Sequence, residues 1–551
     1  MNRNGGFGYA AIVIVAGAGI AACSTSEPSG ATRTAPTATG AAPMALMPSS
    51  MARVGTIDER FQSYNVEMLE VTGGRFWKPY KAIGKPAAQA PAVSGSEAQG
   101  GDTPAGMSAD LYQYRPPLDL TNRRLRAMAR ALGPAYMRIS GTWANTTYFA
   151  VTDPPPRNPP KGYGGVLTRQ QWLGAIDFSR AVDAPIVTSM PIGTGTRGPD
   201  GLWRPDQARR WLGFTKANGG TVAAAEFINE PTLASMGGAP KGYDAAAFGR
   251  DYRVFNAFMR KEYPGTKLLA PGSVGEANAD WAVATGGYGE QAVLPAAALA
   301  ASTGDADAFS YHHYGAVSQR CAAMGHQTSA DQALSEDWLG RTDLTLAFYR
   351  GVRDKTMPGK PFWNTETADA ACGGNPWAGT CLDTFRYLDQ LGRLARQQVD
   401  VVIHNTLVAS DYGLLDENSF APKPKFWGAL LWRKLMGTTV LDPGVPIAAG
   451  SHVYAHCLRG GASGVALMVI NTDKNGARAM KLPVSAMRYT LRAPELHGTR
   501  VELNGKVLEL GPDDALPALA GTPTPAGDVS FEPTSITFLA LPEAANGACR
   551  N

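Results

Sequence analysis

The feature that most constrains the fold is an alternation of short β-rich runs with longer helical segments, repeated along most of the chain. Eight β-runs stand out, at residues 61–67, 136–140, 185–190, 224–229, 267–270, 308–312, 361–365 and 401–405. The clearest helical segments are 120–132, 169–182, 205–217, 243–263, 331–354, 382–398 and 425–436. Strands separated by helices build parallel sheets, because a crossover helix returns the chain to the same end. Eight βα units predict a closed (β/α)₈ TIM barrel in preference to an open doubly wound sheet. No glycine-rich phosphate loop follows the first run, which removes the main support for dinucleotide binding.

After residue 441 the texture changes to short β-like runs, 453–456, 464–471, 489–492 and 529–541, separated by Gly, Asn and Pro. An all-β sandwich is expected over 442–551, behind a catalytic barrel over 53–441, and a stretch just ahead of the first barrel strand can add to it. Residues 24–52 are rich in Ser, Thr, Ala, Pro and Gly and read as a flexible tether. Similar composition at 84–109, and the Pro154-Pro155-Pro156 run within 152–165, predict surface loops. With 551 residues, 44% hydrophobic and 18% charged, the chain has the apolar material for a large core plus an accessory domain. A net charge of +4 with no Lys/Arg run gives no case for a nucleic-acid partner.

The N-terminus reads as an address. Arg3 precedes an apolar stretch over 9–22 that ends in Gly19-Ile20-Ala21-Ala22-Cys23. Small residues directly before a cysteine resemble the bacterial lipobox, which implies cleavage after residue 22 and lipidation of Cys23. Ser24 in the next position implies export to the outer membrane, so an envelope-anchored, periplasmic or extracellular location is expected. The alternative is an uncleaved membrane anchor, for which the run is short against the roughly 20 residues a span needs. Five cysteines then remain in an oxidising compartment. Cys457 and Cys549 flank the C-terminal segment and are expected to pair; a second bridge among Cys321, Cys372 and Cys381 is left open. No Cys or His pair has zinc-ligand spacing, so neither metal nor other cofactor is expected.

Barrel enzymes work at the C-terminal ends of their strands. Those ends carry Glu67, Ser140 with Thr142, Pro191, Asn229-Glu230, Ser273, His312 to Tyr314, Glu366 and Asn405. Polar groups gather there while the residues before them are mostly apolar. Two glutamates, after the fourth and seventh strands, face each other across a barrel mouth. Hydrolysis of a glycosidic bond needs such a pair: an acid to protonate the leaving oxygen and a carboxylate to attack or to activate water. Singly, each signal has an ordinary alternative. Asn-Glu-Pro is often a helix cap, a glutamate after a β-run is often solvated, and one of His312 and His313 must face the core. Trp143, Trp203 and Trp377 are candidate sugar platforms, though most tryptophans simply pack.

Taken in order, these motifs resemble glycoside hydrolase family 79, the heparanases and β-glucuronidases. The similarity spans Leu132-Gly133-Pro134-Ala135-Tyr136-Met137-Arg138-Ile139-Ser140-Gly141-Thr142, Ile228-Asn229-Glu230-Pro231 and Tyr311-His312-His313-Tyr314. It continues through Phe362-Trp363-Asn364-Thr365-Glu366-Thr367 with Gly373-Gly374, and Asp411-Tyr412-Gly413-Leu414-Leu415-Asp416-Glu417-Asn418. The resemblance implies a retaining enzyme with Glu230 as acid/base and Glu366 as nucleophile. Asn229 would bind the sugar 2-hydroxyl, Tyr314 would hydrogen-bond the nucleophile, and His312 would shape the same wall. Gly373 and Gly374 amides with the Tyr412 hydroxyl would receive a uronate carboxylate; Glu67, Thr142 and Asn405 would bind hydroxyls. The implied substrate is a uronic-acid-containing polysaccharide or glycoside.

The sequence departs from that pattern in places. Glu67 stands for an aspartate, Asn405 for the glutamine of animal heparanases, and the glycine loop is a residue longer and contains Cys372. The basic clusters that grip sulfated chains are not evident, which tells against a strongly sulfated substrate. Two other readings remain: a clan relative acting on a neutral sugar, and a non-catalytic polysaccharide-binding lipoprotein. A retaining mechanism predicts carboxyl groups about 5–5.5 Å apart, and a Glu230 acidity weakened by partial burial and by Glu366.

Overall fold

The computed structural model describes residues 44–83, 104, 107–282 and 293–550. Cys23, the expected leader, the first part of the tether and most of the 84–109 stretch lie outside the described residues. Among the described residues no helix is long and apolar enough to cross a membrane.

Eight parallel strands close into a barrel in chain order. They are β1 (Gln62–Glu67), β2 (Met137–Ser140), β3 (Ile186–Ser189), β4 (Val222–Glu226), β5 (Lys267–Val274), β6 (Ala308–Tyr314), β7 (Phe362–Ala368) and β8 (Val401–His404). The helices that follow the strands in turn are α1 (Arg123–Leu132), α2 (Arg169–Ala181), α3 (Asp206–Ala217), α4 (Ala245–Glu262), α5 (Ala296–Ala300), α6 (Arg341–Thr356), α7 (Cys381–Arg396) and α8 (Pro424–Leu435), with short extra turns of helix at Met68–Thr72 and Glu336–Leu339. The (β/α)₈ expectation therefore holds. α5 was not foreseen: its run, Ala296-Ala297-Ala298-Leu299-Ala300, is too short to show a helical period.

Strand periodicity explains how the barrel is filled. Tyr136, Val187, Ala224, Leu269, Ala308, Trp363, Val401 and Ile403 form one apolar plug at the N-terminal end of the barrel. Two residues further along, on the same inward face, stand Arg138, Glu226, Ser310 and Thr365. The interior thus changes from apolar to polar in one layer. The outward residues, among them Met137, Ile139, Ile186, Ala225, Leu268, Phe309, Tyr311 and Phe362, pack in the main core under the helices. The pairing of β7 with β6 skips a residue between Tyr311 and His312, so that Glu366 stands opposite His312. That β-bulge turns both Thr365 and Glu366 toward the site.

The second module is a nine-stranded sheet facing a three-stranded one. In the strand His452–Leu458, Val453 and Ala455 pack with Met480, Leu482, Val529 and Phe531 of the smaller sheet. The alternate residue, Tyr454, joins the barrel's own core. The chain before the barrel belongs to these sheets. Met44–Ala45 pairs with Arg478–Leu482, and Arg53–Thr56 pairs with Met436–Leu441. A tether to residue 52 and a barrel boundary at 441 are therefore corrected at both ends. These edge strands are too short to show alternation, and Leu46 and Met51 are held by the second core instead. Cys457 bonds to Cys549 and Cys321 to Cys372, leaving Cys381 as a buried thiol.

Candidate active site

The C-terminal mouth of the barrel opens into a pocket. Glu67, Thr142, Glu230, Tyr314, Glu366, Asn405 and Tyr412 line it, so seven of the sequence-predicted residues meet there. Cys23 lies outside the described residues.

Glu230 follows β4 in a left-handed conformation, φ +47° and ψ +62°, uncommon for a residue with a side chain. Asn145 fixes the preceding turn: its Nδ2 donates to the Asn229 carbonyl, and its Oδ1 accepts from the Asn229 amide, each at 2.9 Å. Glu366 lies opposite. One oxygen of each carboxylate and Nδ1 of His312 all fall within 4.8 Å of one another.

The two carboxyls live in different surroundings. Arg138 Nη1 donates to Glu366 Oε2 at 2.7 Å, and the Tyr314 hydroxyl donates to Oε1 at 2.6 Å. Glu230 is pushed up to about 7, chiefly by burial, with Glu226 raising it further and Arg138 opposing. The repelling neighbour is thus Glu226, not Glu366 as expected from the sequence.

His312 is fully buried and stands behind the pocket wall. Arg138 Nη2, which can only donate, lies 3.3 Å from His312 Nε2. Nε2 must accept, so Nδ1 carries the hydrogen and donates to Glu230 Oε1 at 3.0 Å. Burial depresses His312 to about 4, and it stays neutral. The same tautomer bears on metal binding. Glu230, His312 and Glu366 are spaced like a metal triad, but Nδ1 offers a hydrogen where a ligand would offer a lone pair. Arg138 already supplies the positive charge.

Asn405 Nδ2 lies 3.0 Å from the Tyr314 hydroxyl, 3.1 Å from the Tyr412 hydroxyl and 3.3 Å from Glu67 Oε1. Glu67 Oε2 and Asn405 Oδ1 are buried without a partner. Orphaned polar atoms in a pocket are what a bound hydroxyl would satisfy. Glu67 is raised well above the usual carboxyl range by burial, then by Glu366 and Glu70. It sits against Gly141, φ +96°, where an added Cβ would lie 1.7 Å from Oε2.

Asn229 is buried beside the pocket, its Oδ1 accepting from Arg138 Nη2 at 2.8 Å. Gly373 and Gly374 do not line the pocket: Ala371 and Cys372 do. Gly373 packs on Trp77 and Ser410, and Gly374 on Ala378, Asp369 and Tyr412. The extra residue of the loop puts the disulfide-bonded Cys372 in front of them. Of the candidate platforms only Trp143 reaches the pocket, where Trp77 and Tyr112 join it. Trp203 and Trp377 are core residues.

Arg138, Glu226 and Asn145 carry the site's electrostatics and geometry, and sequence reasoning assigned none of them a role. The available signal was a lone charge inside an otherwise uncharged β-run, as in Tyr136-Met137-Arg138-Ile139-Ser140 and Ala223-Ala224-Ala225-Glu226-Phe227.

Over 493 residues the chain is 27% identical to mouse heparanase, covering 78% of this chain and 88% of that one. Over 214 residues it is 30% identical to the baicalin-β-D-glucuronidase of Scutellaria baicalensis, covering 36% of this chain and 40% of that one. The structure of a 4-O-α-L-rhamnosyl-β-D-glucuronidase from Fusarium oxysporum superposes with a TM-score of 0.58 at 10% identity, covering 91% of this chain and 99% of that one. That likeness speaks to the fold. No family model matches the chain. With two carboxyls facing each other on this barrel, and a heparanase similar over 78% of its length, the chain is a glycoside hydrolase that resembles the heparanases.

Proposed function

We propose that the protein cleaves β-glucuronide linkages by double displacement, with Glu230 as acid/base and Glu366 as nucleophile. The observation that carries this is the pair itself: two carboxyls with oxygens within 4.8 Å across the pocket, one clamped by Arg138 and Tyr314 and the other pushed up to about 7. That spacing suits retention, whereas inversion needs about 6.5–9.5 Å between the carboxyls to admit a water. Glu230 gives its proton to the leaving oxygen as Glu366 bonds to the anomeric carbon. It then takes a proton from the water that releases the sugar. Glu67, Thr142, Asn229 and Asn405 bind the sugar hydroxyls.

The uronate preference follows from the relatives named above and from Tyr412. Its hydroxyl accepts from Asn405, which leaves its own hydrogen for a ligand carboxylate. Gly373 and Gly374 lie one residue behind the wall, so the carboxylate is assigned to Tyr412. The charged residues lining the described pocket are Glu67, Glu230 and Glu366, which gives a sulfated chain no cation to bind. In this reading the protein is an exported lipoprotein held at the cell envelope through Cys23, and its two disulfides fit an oxidising compartment. Cys23→Ala should release it from the membrane fraction; continued retention would remove the anchor.

Wild type and Glu366→Gln offered 4-nitrophenyl β-glucuronide, beside the xyloside and arabinofuranoside, test the activity. Release from the glucuronide by wild type alone supports it. Preference for a neutral sugar overturns the uronate assignment, and binding of polysaccharide without release of any product overturns hydrolysis.

A further inference from the structure

Glu226 never reaches the pocket, yet it is the group to which Arg138 is most fully committed. Arg138 Nε and Nη2 both donate to Glu226 Oε2, at 3.1 and 2.8 Å. Neither side chain has any exposed surface. The other carboxylate oxygen accepts from Thr365 Oγ1 at 2.7 Å, and Gly272 on β5 leaves room for it: a Cβ there would lie 3.1 Å away. The charged and titratable groups around Glu226 are Arg138 from β2, His312 from β6, Glu366 from β7 and Glu230 beyond the end of β4 itself.

A buried guanidinium shared among carboxylates has one positive charge to distribute. Without Glu226, Arg138 would face Glu366 and Glu230 alone. Its charge would then favour ionisation of Glu230, and a glycosidase whose acid is ionised cannot protonate the leaving oxygen. We propose that Glu226 is a positioning residue that neutralises Arg138 from behind, aiming its Nη1 at the nucleophile while leaving the acid/base its proton. The proposal rests on the catalytic reading above. It makes three carboxyls, one arginine and one neutral histidine a single unit: Glu226 and Glu366 share the cation, and His312 hands Glu230 a hydrogen bond without a charge. The direction of the shifts agrees. Burial would raise Glu226, but Arg138 above all, with the Thr365 hydrogen bond, holds it below the usual carboxylate range, while Glu226 in turn raises Glu230.

Glu226→Gln keeps the shape. Its oxygen accepts from Arg138, and its amide donates to Thr365 Oγ1 where the carboxylate accepted, so the charge is lost and one hydrogen bond changes direction. The test reads Glu230 directly, through carboxyl ¹³C resonances of glutamate-labelled full chain, with the Glu230 signal assigned by its loss in Glu230→Gln. Glu226→Gln should move the Glu230 titration to lower pH by about one pH unit or more, and the alkaline limb of kcat/KM should follow. Glu226→Asp, which retains the charge, should keep the midpoint of wild type. An unmoved midpoint in Glu226→Gln overturns the proposal. If the glutamine variant does not fold, the equally neutral Glu226→Met decides in its place: an acidward midpoint upholds the proposal and an unmoved one overturns it. The titration needs no substrate. A protein that hydrolyses no glycoside would therefore overturn the function while the resonance still decides this inference.

Discussion

As the proposed acid, Glu230 must hold its proton to start the reaction, and its value of about 7 sets where that condition fails. Hydrolysis should fall as pH rises through about 7, and the pH profile of kcat/KM checks this. Glu230→Ala should cost about 10²–10⁴-fold on glycosides with poor leaving groups and far less on activated aryl glycosides; equal losses would remove it as acid. Gly141 makes a second, steric claim. Any side chain there strikes Glu67 Oε2 and must adopt φ +96°. Gly141→Ala should therefore displace Glu67 and raise KM severalfold, and Michaelis–Menten kinetics on 4-nitrophenyl β-glucuronide check it. Glu230 and Glu366 were legible because each follows a β-run at the end where barrels work. Arg138 and Glu226 were not assigned, because one charge inside a strand reads the same whether it faces water or a barrel interior.

The strands were readable as elements, but their ends were not. β6 and β7 run to Tyr314 and Ala368, beyond the expected 312 and 365, because inward polar residues look like the start of a loop. The bulge opposite His312 leaves no mark in the residue pattern, yet it aims Glu366. Trp77 and Tyr112 face each other across the hairpin formed by Gly74–Trp77 and Tyr112–Arg115, a pairing over a long insert that no local signal announces. The pocket's far wall is a staple between two βα loops, in which Cys321 bonds to Cys372. The Ser318 hydroxyl adds a bond to the Cys372 carbonyl at 3.0 Å. Replacing both cysteines by serine should cost about 2–4 kcal/mol of stability. It should also raise KM more than it lowers kcat, since the wall binds and does not react. Thermal melts with steady-state kinetics check both, and unchanged KM would mean the wall is not used.

The barrel and the sheet module are joined by buried charge. His452, the first residue of its strand, has Nδ1 2.5 Å from Asp389 Oδ1 on α7 and Nε2 2.9 Å from Glu336 Oε2. The Tyr454 hydroxyl donates to the same Asp389 oxygen at 2.5 Å. Burial alone would depress His452, but the two carboxylates outweigh it and hold it at about 9. With the folded value above the unfolded 6.5, this stability is fully present below pH 6.5 and is lost as pH rises through about 9. The melting temperature should fall across that window, and less steeply in His452→Gln. His452→Ala should cost about 3 kcal/mol, as read from denaturant unfolding. None of this joint was visible in the sequence, where His452 and Asp389 are far apart and each looks ordinary. The central claim concerns the pair of glutamates, and covalent trapping addresses it most directly. A 2-deoxy-2-fluoro-β-glucuronyl fluoride should inactivate the enzyme and leave one sugar on the peptide carrying Glu366, with the normal product released first as the β-anomer. A label on another residue, or turnover that releases the α-anomer first, would contradict the account.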